Sequence, residues 1–324
     1  MSARGLHLHR REVSVAIAIA ALSAALAIAS PGFFAAENLL DLFLANLPVL
    51  IVALGITIVI LTGQIDISVG SVFAICGVVA GGLAKAGVPM PLVAIGACAA
   101  GAAFGSLNGA LVAYARIPSI VATLATMVAL RDGLRWITQG AWIQDLPDRF
   151  QWLGLTQGSY PFVAGGLAIA LAALFAWALR NLPAGRAVYA TGSNRDAARL
   201  AGLPIALITA TAFTLLGALT GLAAVLNAVR FNQIPSNAGL GLELKVIAAV
   251  VVGGTSINGG RGSIAGTLLG VALLGMIGPA LTFLGVSAYW ERGIQGAIIL
   301  TAVAVDALRA RPQSHAAAVA AVRA

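Results

Sequence analysis

Apolar stretches close to twenty residues long recur along almost the whole chain and leave it few folds to choose from. A helix of about 20 apolar residues crosses a ~30 Å hydrocarbon core, and backbone in that core must satisfy its own hydrogen bonds. Ten segments qualify or nearly qualify: 13–30, 42–61, 67–83, 92–113, 117–131, 162–179, 206–229, 245–256, 264–284 and 293–308. They predict an all-α polytopic membrane protein with about ten transmembrane helices, some discontinuous or re-entrant. Only 9% of the 324 residues are charged, against roughly 25% in soluble domains, so a soluble fold is excluded. The eighth segment is short and runs into Gly253 and Gly254, which marks it as a half-span or re-entrant piece. Residues 13–30, behind a basic start, read as a first span or a secretory signal; the span fits better, because the next run is itself a span.

Charge orders the topology. With both termini inside, Arg116, Arg180, Arg186, Arg195, Arg199 and Arg261 join the basic tails on the inner face, as the positive-inside rule requires. Outside, Lys85, Arg131, Arg135, Arg149, Arg230, Lys245 and Arg292 balance Glu37, Asp41, Asp132, Asp145, Asp148, Glu243 and Glu291. That places no ionisable pair within the spans. Trp136, Trp142, Trp152, Tyr160 and Trp290 form an expected outer aromatic belt, with Tyr114, Trp177 and Tyr189 at the inner interface. The expected layout is a cytoplasmic tail over 1–12, a permease domain over 13–308 with an inner loop over 180–204, and a cytoplasmic tail over 309–324. The basic residues lie at the edges of apolar segments without interleaved aromatics, so no nucleic-acid partner is expected and the lipid bilayer is. His7, His9 and His315 fall in the tails and Cys76 and Cys98 in apolar runs, which predicts no metal centre, no disulfide framework and no catalytic residues.

Two Gly-rich interruptions carry most of the functional signal. The first, 62–71, contains Gly63, Gln64, Asp66, Ser68 and Gly70 between the second and third spans. The second, 253–263, contains Gly253, Gly254, Thr255, Ser256, Gly259 and Gly260 between the eighth and ninth. Each follows an inward helix and precedes an outward one, so the chain reads as two related halves. Unwound backbone at membrane depth belongs in a protein interior or along a transport path. Asp66 reads as a cap on the third span or as a substrate or gate contact, since a carboxylate within a span needs a reason to be there. Gly101, Gly105 and Gly109, at four-residue spacing, predict close helix contact, as do Gly217/Gly221 and Gly266/Gly270. Asn46, Thr57, Asn108, Thr123, Thr126 and Asn227 are the polar side chains within apolar spans that are candidates for a substrate path, or for bonds between helices.

The inner loop holds a short predicted helix. Asn194 or Ser193 suits its N-cap, Arg195, Asp196, Ala197, Ala198 and Arg199 continue it, Gly202 suits its C-terminal reversal and Pro204 stops it. A helix this short is marginal in water without a docking partner.

Four blocks together resemble the permease subunits of bacterial sugar ABC importers, in the ribose/xylose/rhamnose branch that also imports autoinducer-2. Residues 61–71 resemble the family's Gly-Gly-Ile-Asp-Leu-Ser-Val-Gly-Ser block, with Gln64 in place of a glycine. Residues 117–127 resemble its Pro-Ser-Phe-Ile-Val-Thr-Leu-Ala-Thr block, and 239–266 its Gly-x-Glu-Leu block ending in Gly-Gly-Thr-Ser-x-x-Gly-Gly. Asp196-Ala197-Ala198-x-x-x-Gly202 is similar to the coupling motif Glu-Ala-Ala-x-x-x-Gly, with Asp for Glu. The resemblance covers roughly 13–308. It implies a permease working as a homo- or heterodimer with a second permease subunit, an ABC ATPase subunit that binds ATP and Mg, and a periplasmic sugar-binding protein, in the bacterial inner membrane. It assigns Arg195 to Arg199 and Gly202 to ATPase coupling. This chain has no P-loop of its own, since its two lysines, Lys85 and Lys245, follow Ala84 and Leu244. The outer loop 135–147 is most similar to rhamnose or autoinducer-2 permeases. The alternative is a stand-alone secondary transporter or facilitator for a small polar solute.

Overall fold

The computed structural model describes residues 3–287 and 289–301, with side chains from Glu12 onward. The end of the tenth expected span and the tail over 309–324 lie outside the described residues. In chain order the helices are α1 (Ala3–Ala29), α2 (Ala36–Leu61), α3 (Val69–Lys85), α4 (Met90–Ala113), α5 (Ser119–Thr138), α6 (Tyr160–Asn181), α7 (Pro183–Ser193), α8 (Arg195–Leu200), α9 (Ile205–Ala228), α10 (Leu242–Val252) and α11 (Ile264–Phe283). A final helix, α12, occupies 290–301. Among the described residues there is no strand, only an isolated antiparallel bridge between Ile143 and Ile234.

Six of these helices, α1, α2, α4, α6, α9 and α11, are long and apolar enough to cross a membrane. The 17-residue α3 is apolar but shorter, and α10 has 11 residues. α2 forms the centre: Ile51, Val52, Leu54, Ile56, Val59, Ile60 and Leu61 are all fully buried, packed among α6, α9, α10 and α11. The periphery is apolar too, with Ile95, Phe162, Ile169 and Trp177 more than half exposed. In water such a surface would be a liability, but it is the expected exterior for a protein whose solvent is lipid.

Glycine sets the tightest helix contact. α4 lies on α9 so closely that a side-chain carbon at Gly101 would strike the Gly217 carbonyl, one at Gly105 the Phe213 carbonyl and one at Gly221 the Ala97 carbonyl. Gly266 and Gly270 bring α11 equally close to Gly253 and Ala249 at the end of α10. Lipid tails are as apolar as leucine, so such helices associate by packing, and bare backbone permits the most of it.

α1 begins at Ala3, well ahead of the apolar run, so residues 3–12 are helix continuous with that run. Two expectations change. The loop over 180–204 carries two helices where one is predicted: α7 precedes α8, held by Gly185 against Ala178 and Leu179. Tyr160 is not an interfacial anchor. It is buried, donates its hydroxyl to the Leu226 carbonyl (2.6 Å) and meets Trp152 edge to face at 5.2 Å, tying the start of α6 and the loop before it to the end of α9.

Candidate coupling and translocation site

The first interruption leaves α2 at Leu61, reverses at Gly63 (φ +77°) and climbs along α5. The Ile65 amide donates to Ser119 Oγ (3.2 Å), the Ile67 amide to Thr123 Oγ1 (3.1 Å) and Ser71 Oγ to the Met127 carbonyl (2.8 Å). Successive turns of α5 therefore take up hydrogen bonds that an unwound segment has no partner for in its own backbone. Asp66 sits in this climb, 3% exposed. Its Oδ1 accepts from the Ser68 amide (2.7 Å) and from Ser68 Oγ (2.6 Å), and Asn108 Nδ2 donates in turn to Ser68 Oγ (2.8 Å). This is an Asx turn over residues 66–68, immediately ahead of α3. The residue at the N-cap itself, Ser68, makes no side-chain cap bond.

The candidates for a substrate path do not gather in one place. Asn108 and Thr123 join Asp66 and Ser68, one through a side chain and the other through the Ile67 amide. Thr126 is half-buried one turn along, donating to the Thr123 carbonyl. Thr57 is buried elsewhere, sharing a 2.7 Å bond with Thr267 that ties α2 to α11. Asn46 donates back to the Leu42 carbonyl (2.7 Å), its amide pressed on Gly275. Asn227 is half-buried at the far end of α9.

The second interruption meets the first. Its turn is closed by the Ser256 amide on the Arg261 carbonyl (2.8 Å) and the Gly259 amide on the Ser256 carbonyl (2.9 Å). From it the Gly260 amide donates to the Leu61 carbonyl at the end of α2 (2.9 Å). Gly259 stands so close that an added side-chain carbon would lie 2.7 Å from the Gly63 nitrogen. Gly253 is packed against Gly266, Thr255 and Ser256 are buried, and Ser263 caps α11 through the Gly266 amide (2.9 Å). α7 docks on the same turn: Tyr189 Oη donates to the Gly262 carbonyl (2.9 Å) and Ser193 Oγ to the Gly260 carbonyl (3.4 Å). Burial raises the Tyr189 phenol above its ordinary range, so it remains a neutral donor at cellular pH.

α8 follows at once. Asn194 Oδ1 accepts from the Ala197 amide (2.9 Å), and Gly202 reverses the chain at φ +78°. Ala198 is the helix's buried residue; Arg195, Asp196, Ala197 and Arg199 are exposed, and Leu200 is 90% exposed.

Sequence reasoning missed a charged cluster at the start of α10. Arg131 and Glu243, expected in outer loops, approach to 3.6 Å with side chains 25% and 9% exposed. α5 continues to Thr138, which puts Arg131 on the helix, and the glycines Gly239 (φ +75°) and Gly241 (φ +85°) fold the preceding segment against α3. There Glu243 Oε2 packs directly over Gly70, in the first turn of α3, where a carboxylate complements the helix dipole. Lys245 pairs with Glu291 at 3.5 Å, and Gln295 Nε2 donates to Glu291 Oε1 (3.0 Å). A buried carboxylate thus meets a half-buried arginine on another helix, a pairing that the sequence reading did not anticipate. The missed signal is Glu243 itself, an acidic residue heading a short apolar helix behind two glycines.

An all-helical bundle with a lipid-type exterior, two unwound segments meeting beside α7 and a presented loop helix fits a multi-pass membrane protein. Residues 38–303 match the branched-chain amino acid transport system / permease component family, and the chain belongs to it. It is 35% identical over 298 residues to the autoinducer 2 import system permease protein LsrC of Escherichia coli, covering 92% of this chain and 87% of that protein. It is 37% identical over 296 residues to the ribose import permease protein RbsC of Escherichia coli, covering 90% and 92% respectively. LsrC of Salmonella typhi is 36% identical over 303 residues, covering 92% of this chain and 86% of that protein. No solved structure matches the chain.

Proposed function

We propose that this chain is the permease subunit of an ATP-driven, binding-protein-dependent importer that moves a sugar or sugar-like solute across the bacterial inner membrane. The observation that carries the reading is α8. A helix of six residues has no stability of its own, yet this one is capped, fixed by Ala198 and set so that Arg195, Asp196, Arg199 and a fully presented Leu200 face outward. Such a surface suits a groove on a separate ATPase subunit, where ATP and Mg are bound and hydrolysed. A sugar-binding protein delivers solute at the outer face, and a second permease subunit completes the path. Ten spans with both termini cytoplasmic, a permease domain over 13–308 built of two related halves, and α10 as a re-entrant half-span complete the arrangement. The unwound segments at 63–68 and 253–260 act as gates, Gly70 being already helical in the first turn of α3 rather than unwound, and Asn108, Thr123 and Thr126 are the path residues grouped beside one of them. The outer loop 135–147 favours rhamnose or autoinducer-2 among sugars, and the relatives are named for the import of autoinducer 2 and of ribose.

The test is reconstitution into proteoliposomes with the ATPase and binding protein expected among the neighbouring genes, supplied with labelled L-rhamnose, D-ribose and autoinducer-2. Uptake that requires ATP and all three components is expected. Equal uptake by the permease alone, without ATP, would instead make it a facilitator.

A further inference from the structure

Resting on that reading, we infer that Gly192 is a positioning residue through which movement of α8 reaches both unwound segments at once. Gly192 lies next to last in α7, three residues before α8 begins. An added side-chain carbon there would strike the Leu61 carbonyl and lie 2.6 Å from the Gly260 nitrogen. Those two atoms are the acceptor and donor of the bond that joins the end of α2 to the second Gly-rich turn. The same carbon at Gly259 would lie 3.0 Å from the Gly192 Cα and 2.7 Å from the Gly63 nitrogen, and at Gly260 it would lie 2.6 Å from the Ser193 Cα. Three chain segments that are distant in sequence therefore interlock backbone to backbone, with no flexible side chain between them to absorb a displacement.

That is the contact a mechanical linkage needs. Close-packed interiors transmit strain, and packed elements exchange between discrete arrangements rather than deforming smoothly. One turn earlier on α7, Tyr189 fastens the helix to Gly262 (2.9 Å), so α7 and the turn at 256–262 are held at two levels. Displacing α8 must then carry the turn with it, break its bond to Leu61, or both. Either event changes how the two interruptions sit against each other, and Asp66 and Ser68 lie a few residues along the first of them.

Gly192→Ala and Tyr189→Phe test the linkage in the assembled complex with its ATPase and binding protein, using labelled L-rhamnose, D-ribose and autoinducer-2 as probes. Neither change touches the outward surface of α8, so membrane insertion, co-purification with the ATPase and basal ATP hydrolysis are expected to hold. The number of solute molecules imported per ATP should fall by roughly tenfold in Gly192→Ala and by about threefold to fivefold in Tyr189→Phe. General damage would lower hydrolysis and import together; a lost linkage separates them. Wild-type import per ATP in both variants overturns the inference. If Gly192→Ala does not insert, Tyr189→Phe alone decides. A wild-type permease that binds no ATPase, or imports no probe, overturns the reading beneath the inference, and the inference falls with it.

Discussion

Removing the arginine of the Arg131–Glu243 pair should destabilise the protein more than removing both partners. The two groups stand 3.6 Å apart, which at an effective dielectric of 20 corresponds to an attraction of about 5 kcal/mol. Desolvation offsets much of that, so the net value of the pair is small and the cost of breaking it is large. The exposures make the effect asymmetric. Glu243 is 9% exposed and held over the first turn of α3, whereas Arg131 is 25% exposed on a long, flexible side chain. Arg131→Gln strands a carboxylate that cannot move, at a cost of about 3–5 kcal/mol. Glu243→Gln leaves a guanidinium able to reach toward the outer interface, at about 1–3 kcal/mol. The double variant should lie within about 2 kcal/mol of the wild type, because no lone charge remains. Reversible unfolding of the purified protein in mixed micelles of mild detergent and SDS gives the four free energies of the cycle. Single variants whose losses simply add in the double variant would refute the argument, as would an arginine variant no worse than the glutamate one.

Three further outcomes are expected. Asn194→Ala removes the only side-chain cap of α8, a loss of about 1 kcal/mol, so affinity for the ATPase should fall about fivefold in a titration of the reconstituted permease. Gly105→Leu drives a side chain into the Phe213 carbonyl of α9; beyond the 1–3 kcal/mol usual for overpacking, it should force α4 off α9 and abolish a monodisperse peak in size-exclusion chromatography, while Gly166→Leu, with open space at that position, should leave the peak intact. In a background with Cys76 and Cys98 replaced, Arg195→Cys should react with a membrane-impermeant maleimide only in inside-out vesicles; labelling of right-side-out vesicles would reverse the topology.

How far the chain discloses this arrangement depends on the range of the interaction concerned. The starts and ends of α4, α9 and α11 lie within a residue or two of their apolar runs, because hydrocarbon thickness and backbone hydrogen bonding fix them locally. The cap at Asn194 and the reversal at Gly202 are local as well, and short-range rules suffice to find them. α7 is different. Gly185, Val188, Thr191 and Gly192 are poor helix formers, with glycine alone about 1 kcal/mol worse than alanine, so propensity argues against the helix. Contacts with Leu179, Leu61 and Gly260 decide in its favour, and they come from elsewhere in the chain.

Depth in the membrane is the other quantity that hydropathy cannot supply. A charge near the end of an apolar run reads as exposed whenever each run is taken to begin at the interface. α10 begins instead beside Gly70, and with 17 residues at about 1.5 Å each, α3 carries the chain some 25 Å from there before reaching Lys85. Glu243 is therefore buried inside the bundle, its neighbours Gly239 and Gly241 taking the positive φ values that turn the chain to reach it. The second Gly-rich turn likewise meets the first, though about 190 residues separate them along the chain. Each interruption alone is a run of residues that neither helix nor strand favours. Only their backbone contact, with Gly192 packed against both, brings two weak points into one joint; with no side chain between the segments, a carbon added at Gly192, Gly259 or Gly260 meets backbone at once.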